Sequence, residues 1–177
     1  MLEIRKARTG EAEAILEMYN KIIDDTEGKE ASPRWTKGVY PDQACVSGAI
    51  EREEMYVAMV DGKPAGALIR NHVMAPGYEE IEWSLDIPAE EVFVIHTLGI
   101  SPDFQHQSIA SGLISAVADE GRKTGVKAIR IDVIEGNYPA VRLFGKNGFS
   151  NHGKHVLHYD GMAETEFTLM ELVLSVH

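Results

Sequence analysis

The chain has 177 residues, 44% of them hydrophobic and 25% charged, and carries a formal net charge of −11 at pH 7. One domain with a real core is the expectation for this length, and no apolar stretch approaches the ~20 residues of a membrane span. The acidic balance argues against nucleic acid, whose binding rests on neutralising phosphates with Lys and Arg; it is compatible with a cationic acceptor such as a polyamine, an aminoglycoside or a lysine side chain, against the commoner reading of an enzyme that is simply acidic. The segment MLEIRKARTGEAEA lacks the apolar core of a signal peptide, and a single cysteine, Cys45, allows no intramolecular disulfide. A cytoplasmic location is therefore the default expectation.

Leu2 to Ala7 reads as a short first strand. Thr9 is a candidate N-cap, with Glu11 and Glu13 in the turn that the helix dipole favours for acids. Ile15, Met18, Tyr19 and Ile22 fall at i, i+3, i+4 and i+7 and predict an amphipathic helix. Asp24 to Val39 is polar, carries Gly28, Pro33 and Gly38, and reads as a loop. Its Trp35, with Tyr40 beyond, either lines an acceptor pocket or anchors the loop to the core, the commoner use of aromatics there. Asp42 opens a second helix running to about Glu54.

Met55 to Val60 and Ala65 to Val73 are strands joined by the hairpin signal Asp61-Gly62. Ala75-Pro76-Gly77 marks a loop, after which Tyr78 to Ser84 reads as a further short strand before a break at Pro88. Val92 to Ile100 is apolar on both faces apart from His96 and Thr97, as a central, doubly covered strand would be. Gly99 inside it predicts a bulge or a close backbone approach.

A loop after Pro102 then opens a helix whose first turn carries no acidic residue. Unpaired backbone N–H groups and the dipole at such a helix start favour an anion, a pyrophosphate for example. The helix should bury Ile109, Leu113, Ile114 and Val117, with Gly112 and Ala116 permitting close packing, and end at Arg122, Lys123 and a Gly125 C-cap. Lys127 to Ile134 follows as a strand. Pro139 falls in the first turn of the next helix, which Gly148 ends. Two closing strands, about Phe149 to Tyr159 and Glu166 to Leu174, are joined through Asp160-Gly161. The order β-α-α-β-β-β-β-α-β-α-β-β predicts an α/β (α+β) fold. Its sheet should be mixed, mainly antiparallel and of about seven strands, flanked by helices on both faces in a single domain over residues 1–177.

The stretch from Val92 to Phe149 resembles the GNAT acetyltransferases, which move an acetyl group from acetyl-CoA to an amine. Their signature of Gln or Arg, two residues, Gly, one residue, then Gly or Ala falls on Gln105, His106, Gln107, Ser108, Ile109 and Ala110. Upstream, Leu98-Gly99-Ile100-Ser101-Pro102 is similar to the family's strand-and-proline entry. Downstream, Asn137, Ala140, Leu143, Phe144, Lys146, Gly148 and Phe149 are similar to its "N..A..LY.K.GF" helix. The resemblance implies a GNAT-like fold, acetyl-CoA as co-substrate and no metal. It places the pyrophosphate on the main chain from Gln105 to Ala110 and the pantetheine arm along Leu98, Gly99 and Ile100. Asn137 contacts that arm as well as capping its helix, and Phe144 falls at the cofactor position where the family usually has a Tyr that protonates the departing thiolate. Ser108 stands where the family usually has Gly; Ser can cap a helix and donate to phosphate.

Amine attack needs a base, because an alkyl amine of pKa ~10.4 is almost wholly protonated at neutral pH. His96, two residues before Leu98, is the candidate, against the alternative of a hydrogen-bonded core histidine. Glu80 and Glu82 either act through water or lie on a solvated strand face. Phe144 cannot donate a proton; a thiolate of pKa ~8.5 leaves tolerably without help, so losing the acid costs on the order of 100-fold. Tyr138 is the candidate substitute, against a surface or packing role. N–H groups near Gly99 and Ile100 would polarise the thioester carbonyl. Arg142 and Lys146 could meet phosphates or simply be solvated. His152, His155 and His158 alternate faces on a strand and make a poor metal site, and Cys45 has no adjacent base and reads as packing. The acceptor, a small-molecule amine or a peptide, would be shaped by the loops at 24–41 and 75–91. The resemblance admits a homodimer. The rival to an N-acetyltransferase is a catalytically weak or inactive GNAT-fold module that binds CoA for regulation.

Overall fold

The computed structural model describes residues 1–105 and 108–175. Seven strands and four α-helices follow in the order β1 (Leu2–Lys6), α1 (Ala12–Thr26), α2 (Gln43–Glu51), β2 (Met55–Val60), β3 (Lys63–Asn71), β4 (Val92–Ile100), α3 (Ile109–Thr124), β5 (Ala128–Ile134), α4 (Tyr138–Lys146), β6 (Ser150–Leu157) and β7 (Thr165–Val173). The strand order is β1-β2-β3-β4-β5-β7-β6. Pairing is antiparallel for β1 with β2, β2 with β3, β5 with β7 and β6 with β7, and parallel for β4 with β5. This is the mixed, mainly antiparallel sheet that the sequence predicts. β4 is its fourth and central strand, which accounts for an apolar run with no polar face.

The chain divides into two compact units, Met1–Arg70 with Ile95–Val117, and Asn71–Val94 with Ala118–His177. In the first, the predicted face of α1 is buried in full: Ile15, Met18, Tyr19 and Ile22 pack with Val46, Met55 and their neighbours, and Trp35 and Cys45 close the edge. Burial of Ile109, Leu113, Ile114 and Val117 also follows the 3.6-residue pattern of α3. A Cβ at Gly112 would lie 2.5 Å from Ile4 Cδ1, so glycine lets this helix approach without displacing the Ile4 side chain. The β2–β3 hairpin turns through Asp61 and Gly62 at φ 49° and 80°, the double left-handed turn that Asp-Gly favours. In the second unit, Tyr78, Val92, Val94, Leu157 and Leu169 form the centre of a separate cluster.

Three local readings are corrected. Thr9 is not the N-cap of α1; Glu11 holds that position, and its carboxylate instead accepts from Arg8 N at 2.7 Å and Arg5 Nη2 at 2.7 Å. The cap thus falls two residues after Thr9, and its side chain makes no hydrogen bond to the first turn. The second helix ends at Glu51, and Glu53 turns left-handed at φ 56°. Tyr78 to Ser84 is not a strand. Gly77, at φ 109°, starts a single 3₁₀ turn at Tyr78–Glu80, closed by Gly77 N donating to Glu79 Oε2 at 2.9 Å. The aromatic content that reads as strand serves instead to bury the loop: Tyr78 is buried, and Trp83 Nε1 donates to Tyr78 O at 3.0 Å.

Candidate functional site

In the first unit the site elements are the second half of β4 and the loop that opens α3. Thr97 adopts φ 53° within β4, so the irregularity expected at Gly99 falls two residues earlier. Gly99 shows the other predicted property, close approach: a Cβ there would lie 2.8 Å from Ile22 Cδ1 and 3.5 Å from Trp35 Cη2. A Cβ at Gly66 of β3 would stand 2.8 Å from Ile100 Cδ1 and 3.2 Å from Gly99 O. His96, Leu98 and Ile100 are half-buried, whereas Thr97 and Gly99 are buried. The Tyr19 hydroxyl, wholly buried, donates to Thr97 O at 2.9 Å and lies 3.3 Å from Thr97 Oγ1. Burial pushes that phenol well above its ordinary pKa, so it stays a donor.

After β4 the chain is pinned at its turn. Ser101 N donates to Ala65 O at 2.8 Å, Pro102–Phe104 forms one 3₁₀ turn, and Gln105 Nε2 reaches back to Ile100 O at 3.3 Å. Lys21 of α1 pairs with Asp103. His106 and Gln107 lie outside the described residues. Ser108 is exposed, at φ 56°, and its carbonyl accepts the N–H of Gly112 at 3.1 Å. The left-handed backbone explains why this position suits glycine: a Cβ crowds the following carbonyl there. Ile109 and Ala110 are buried in the first turn of α3, which carries no acid, so the helix dipole meets no competing negative charge from that turn.

In the second unit, Asn137 caps α4, its Oδ1 accepting from Ala140 N at 3.3 Å, with proline in the first turn as predicted. Phe144 is 2% exposed and meets Phe149 edge-on at 5.2 Å. Tyr138 is 49% exposed at the start of the helix.

The 75–91 loop of this unit walls a cleft of about 650 Å3, with Trp83, Glu79, Glu82, Asp86 and Arg130 among its lining. Its one lining cation, among the described residues, is neutralised: Arg130 Nε meets Glu171 Oε2 at 2.9 Å with both side chains buried. Arg130 also donates to Leu85 O at 2.7 Å and stacks 4.4 Å above the Trp83 ring. Beside it on β5, Asp132 Oδ2 accepts from Tyr78 at 2.6 Å and Tyr159 at 2.7 Å. Burial first, and then the neighbouring Asp132 charge, hold the Tyr78 phenol well above its ordinary value.

Trp83, Arg130, Asp132 and Glu171 escaped the sequence reading. The available signal was two charges, Arg130 and Asp132, one alternation apart in the otherwise apolar strand AIRIDVI. His152 stacks on Trp83 at 5.4 Å and its Nδ1 lies 2.9 Å from Glu82 O, a role in walling the same loop. In the first unit a second cleft, of about 430 Å3, lies at the N-terminus of α2 beside Asn20, Gly38 and Asp42.

Comparison with known proteins agrees with this arrangement of elements. A curated relative, an uncharacterized N-acetyltransferase of Methanocaldococcus jannaschii, is 25% identical over 99 residues, 56% of this chain and 40% of its own length. Three solved structures, each 18% identical, share the fold: a GNAT-family acetyltransferase of Streptococcus agalactiae with TM-score 0.78 (97% of this chain, 95% of that one), a putative acetyltransferase of Salmonella typhimurium with its cofactor acetyl-CoA at 0.72 (100% and 96%), and the PaiA N-acetyltransferase of Thermoplasma acidophilum in complex with coenzyme A at 0.70 (97% and 98%). The profile of the acetyltransferase (GNAT) family matches residues 15–149, from α1 through α4 into the turn before β6, and the chain belongs to that family.

Proposed function

We propose that this protein is an acetyl-CoA-dependent N-acetyltransferase acting on a primary amine of a small molecule or peptide. The observation that carries the reading is the join of β4 to α3. A strand with a left-handed break at Thr97 runs into a tightly pinned turn, and α3 then starts from a left-handed Ser108 with no acid in its first turn. That combination offers main-chain N–H groups to a diphosphate and strand main chain to an extended arm. The residues present fit the group. Ser108 already holds the backbone conformation that glycine would supply, and Gly99 is closely approached, a Cβ there lying 2.8 Å from Ile22 Cδ1.

Acetyl-CoA, when bound, supplies an activated thioester. Gln105, Ser108, Ile109 and Ala110, with His106 and Gln107 by the family pattern, would hold its diphosphate. Leu98, Gly99 and Ile100 would align the arm and polarise the carbonyl through their N–H groups, and the family pattern assigns Asn137 and Phe144 to the cofactor as well. His96 accepts the proton that the acceptor ammonium must lose before its nitrogen attacks the carbonyl carbon. Tyr138, the nearest phenol in sequence to the family's acid position, would supply the proton that the departing thiol needs. The 24–41 loop of the first unit and the 75–91 loop of the second are each candidates for shaping the acceptor site. The cleft of the second loop carries Glu79, Glu82 and Asp86 against one neutralised arginine, which supports a cationic acceptor. The cytoplasm remains the expected compartment, a single functional domain the expected organisation, and a homodimer is compatible with the family.

A second reading, a CoA-binding regulatory module without turnover, is favoured by one observation: Phe144 is buried against Phe149 and brings no hydroxyl. His96→Ala separates the two. Acetylation of an amine panel should fall by about 100-fold while acetyl-CoA binding holds within twofold. Tight binding by the unaltered chain without turnover of any amine would establish the regulatory reading instead.

A further inference from the structure

Among the described residues, Thr97 is unlike the other non-glycine positions with left-handed backbone. Arg34, Glu53, Asp61 and Ser108 are exposed or in turns, whereas Thr97 is β-branched, buried and inside a strand. Branching at Cβ makes this conformation a true outlier, and such strain persists only where the surroundings hold it.

What holds it is α1. Tyr19 is wholly buried, meets Trp35 edge-on at 5.7 Å, and directs its hydroxyl to Thr97, 2.9 Å from the carbonyl and 3.3 Å from Oγ1. The same helix abuts the strand two residues on, since Ile22 Cδ1 would touch a Cβ at Gly99 at 2.8 Å. A phenylalanine would keep the ring and lose the hydroxyl's contacts with Thr97.

We propose that Tyr19 is a positioning residue: through its hydrogen bond to Thr97 it holds the left-handed break in β4 and so aims the main-chain groups of Leu98 to Ile100 at the acetyl-CoA arm. This assignment rests on the acetyl-CoA reading above. Tyr19 touches neither acceptor nor cofactor in this role; it acts only through the strand.

The test is a double-mutant cycle by calorimetric titration of the full chain with acetyl-CoA, using the unaltered protein, Tyr19→Phe, Thr97→Gly and the pair. Glycine takes the left-handed conformation without a hook. Tyr19→Phe is expected to weaken acetyl-CoA binding about tenfold, the worth of one buried hydrogen bond, raising KM for acetyl-CoA but not for the acceptor. In the Thr97→Gly background the same change should cost less than about twofold, a rescue that a purely structural tyrosine would not show. Thermal melts establish that each variant is folded. Binding by Tyr19→Phe within twofold of the unaltered chain, or an equal loss in both backgrounds, overturns the assignment alone. Absence of acetyl-CoA binding by the unaltered chain overturns the cofactor reading and the assignment with it.

Discussion

Glu171→Ala tests what holds the acidic cleft of the second unit open. Glu171 is 1% exposed, and its carboxylate meets Arg130 Nε at 2.9 Å and accepts from Ser84 N at 2.8 Å. Truncation leaves a buried guanidinium without its counter-charge and a loop N–H without its acceptor. Breaking a buried pair this way costs about 3–5 kcal/mol, a fall in Tm of roughly 6–20 °C for a chain of this length. Replacing both partners by apolar residues of similar volume, Arg130→Met with Glu171→Met, removes the stranded charge. The double variant should recover at least about 2 kcal/mol of what Arg130→Met and Glu171→Met singly lose together, even though Leu85 O and Ser84 N lose their partners. Equilibrium denaturation followed by tryptophan fluorescence reads this directly, because Arg130 stacks on Trp83. Glu171→Ala within 1 kcal/mol of the unaltered protein, or strictly additive losses in the cycle, would refute the claim that this pair braces the loop.

Ser108→Gly should raise stability by about 0.5–1 kcal/mol and leave acetyl-CoA binding at least as tight, because relief of the left-handed serine at φ 56° outweighs the added freedom of the unfolded chain; a thermal melt checks it, and a lower Tm would contradict it. Gly99→Ala should destabilise by about 1–3 kcal/mol, since the new methyl would lie 2.8 Å from Ile22 Cδ1, and urea denaturation gives the value. Alkaline pH should unfold the protein in part through Tyr78. Its phenol is held above the ordinary value of 10.0 by burial and by Asp132, so the stability it confers is complete below pH 10 and is lost as pH rises beyond. Tyr78→Phe should flatten that fall above about pH 10, and an unchanged slope there would contradict the assignment.

Much of the fold is legible in the sequence because burial imposes period. Ile15, Met18, Tyr19 and Ile22 declare one helix face, Val92 to Ile100 a strand covered on both sides, and Asp61-Gly62 a hairpin. Asn137 as a cap and Gly125 after α3 follow from the same local chemistry. Illegible were features set by distant partners. The 78–84 segment reads as strand by composition, but its Tyr78 and Trp83 are spent on Asp132 and Arg130, about fifty residues away in the chain. Thr97 looks like an ordinary strand threonine, and neither its φ of 53° nor the hydrogen bond from Tyr19, 78 residues away, can be read from its neighbours. At the site, the serine in the glycine position could be read but its left-handed backbone could not, and it is the backbone that reconciles Ser108 with the family pattern.

The most direct test of the central claim is thermal unfolding of the protein with acetyl-CoA, with ATP and NAD as controls. At about 100 times its dissociation constant a ligand stabilises the folded chain by ~2.7 kcal/mol, which corresponds here to a rise in Tm of roughly 5–11 °C. A rise of that size with acetyl-CoA and none with the controls is the expected result. No rise with acetyl-CoA at about 1 mM, a concentration that saturates any site tighter than about 10 μM, would contradict it.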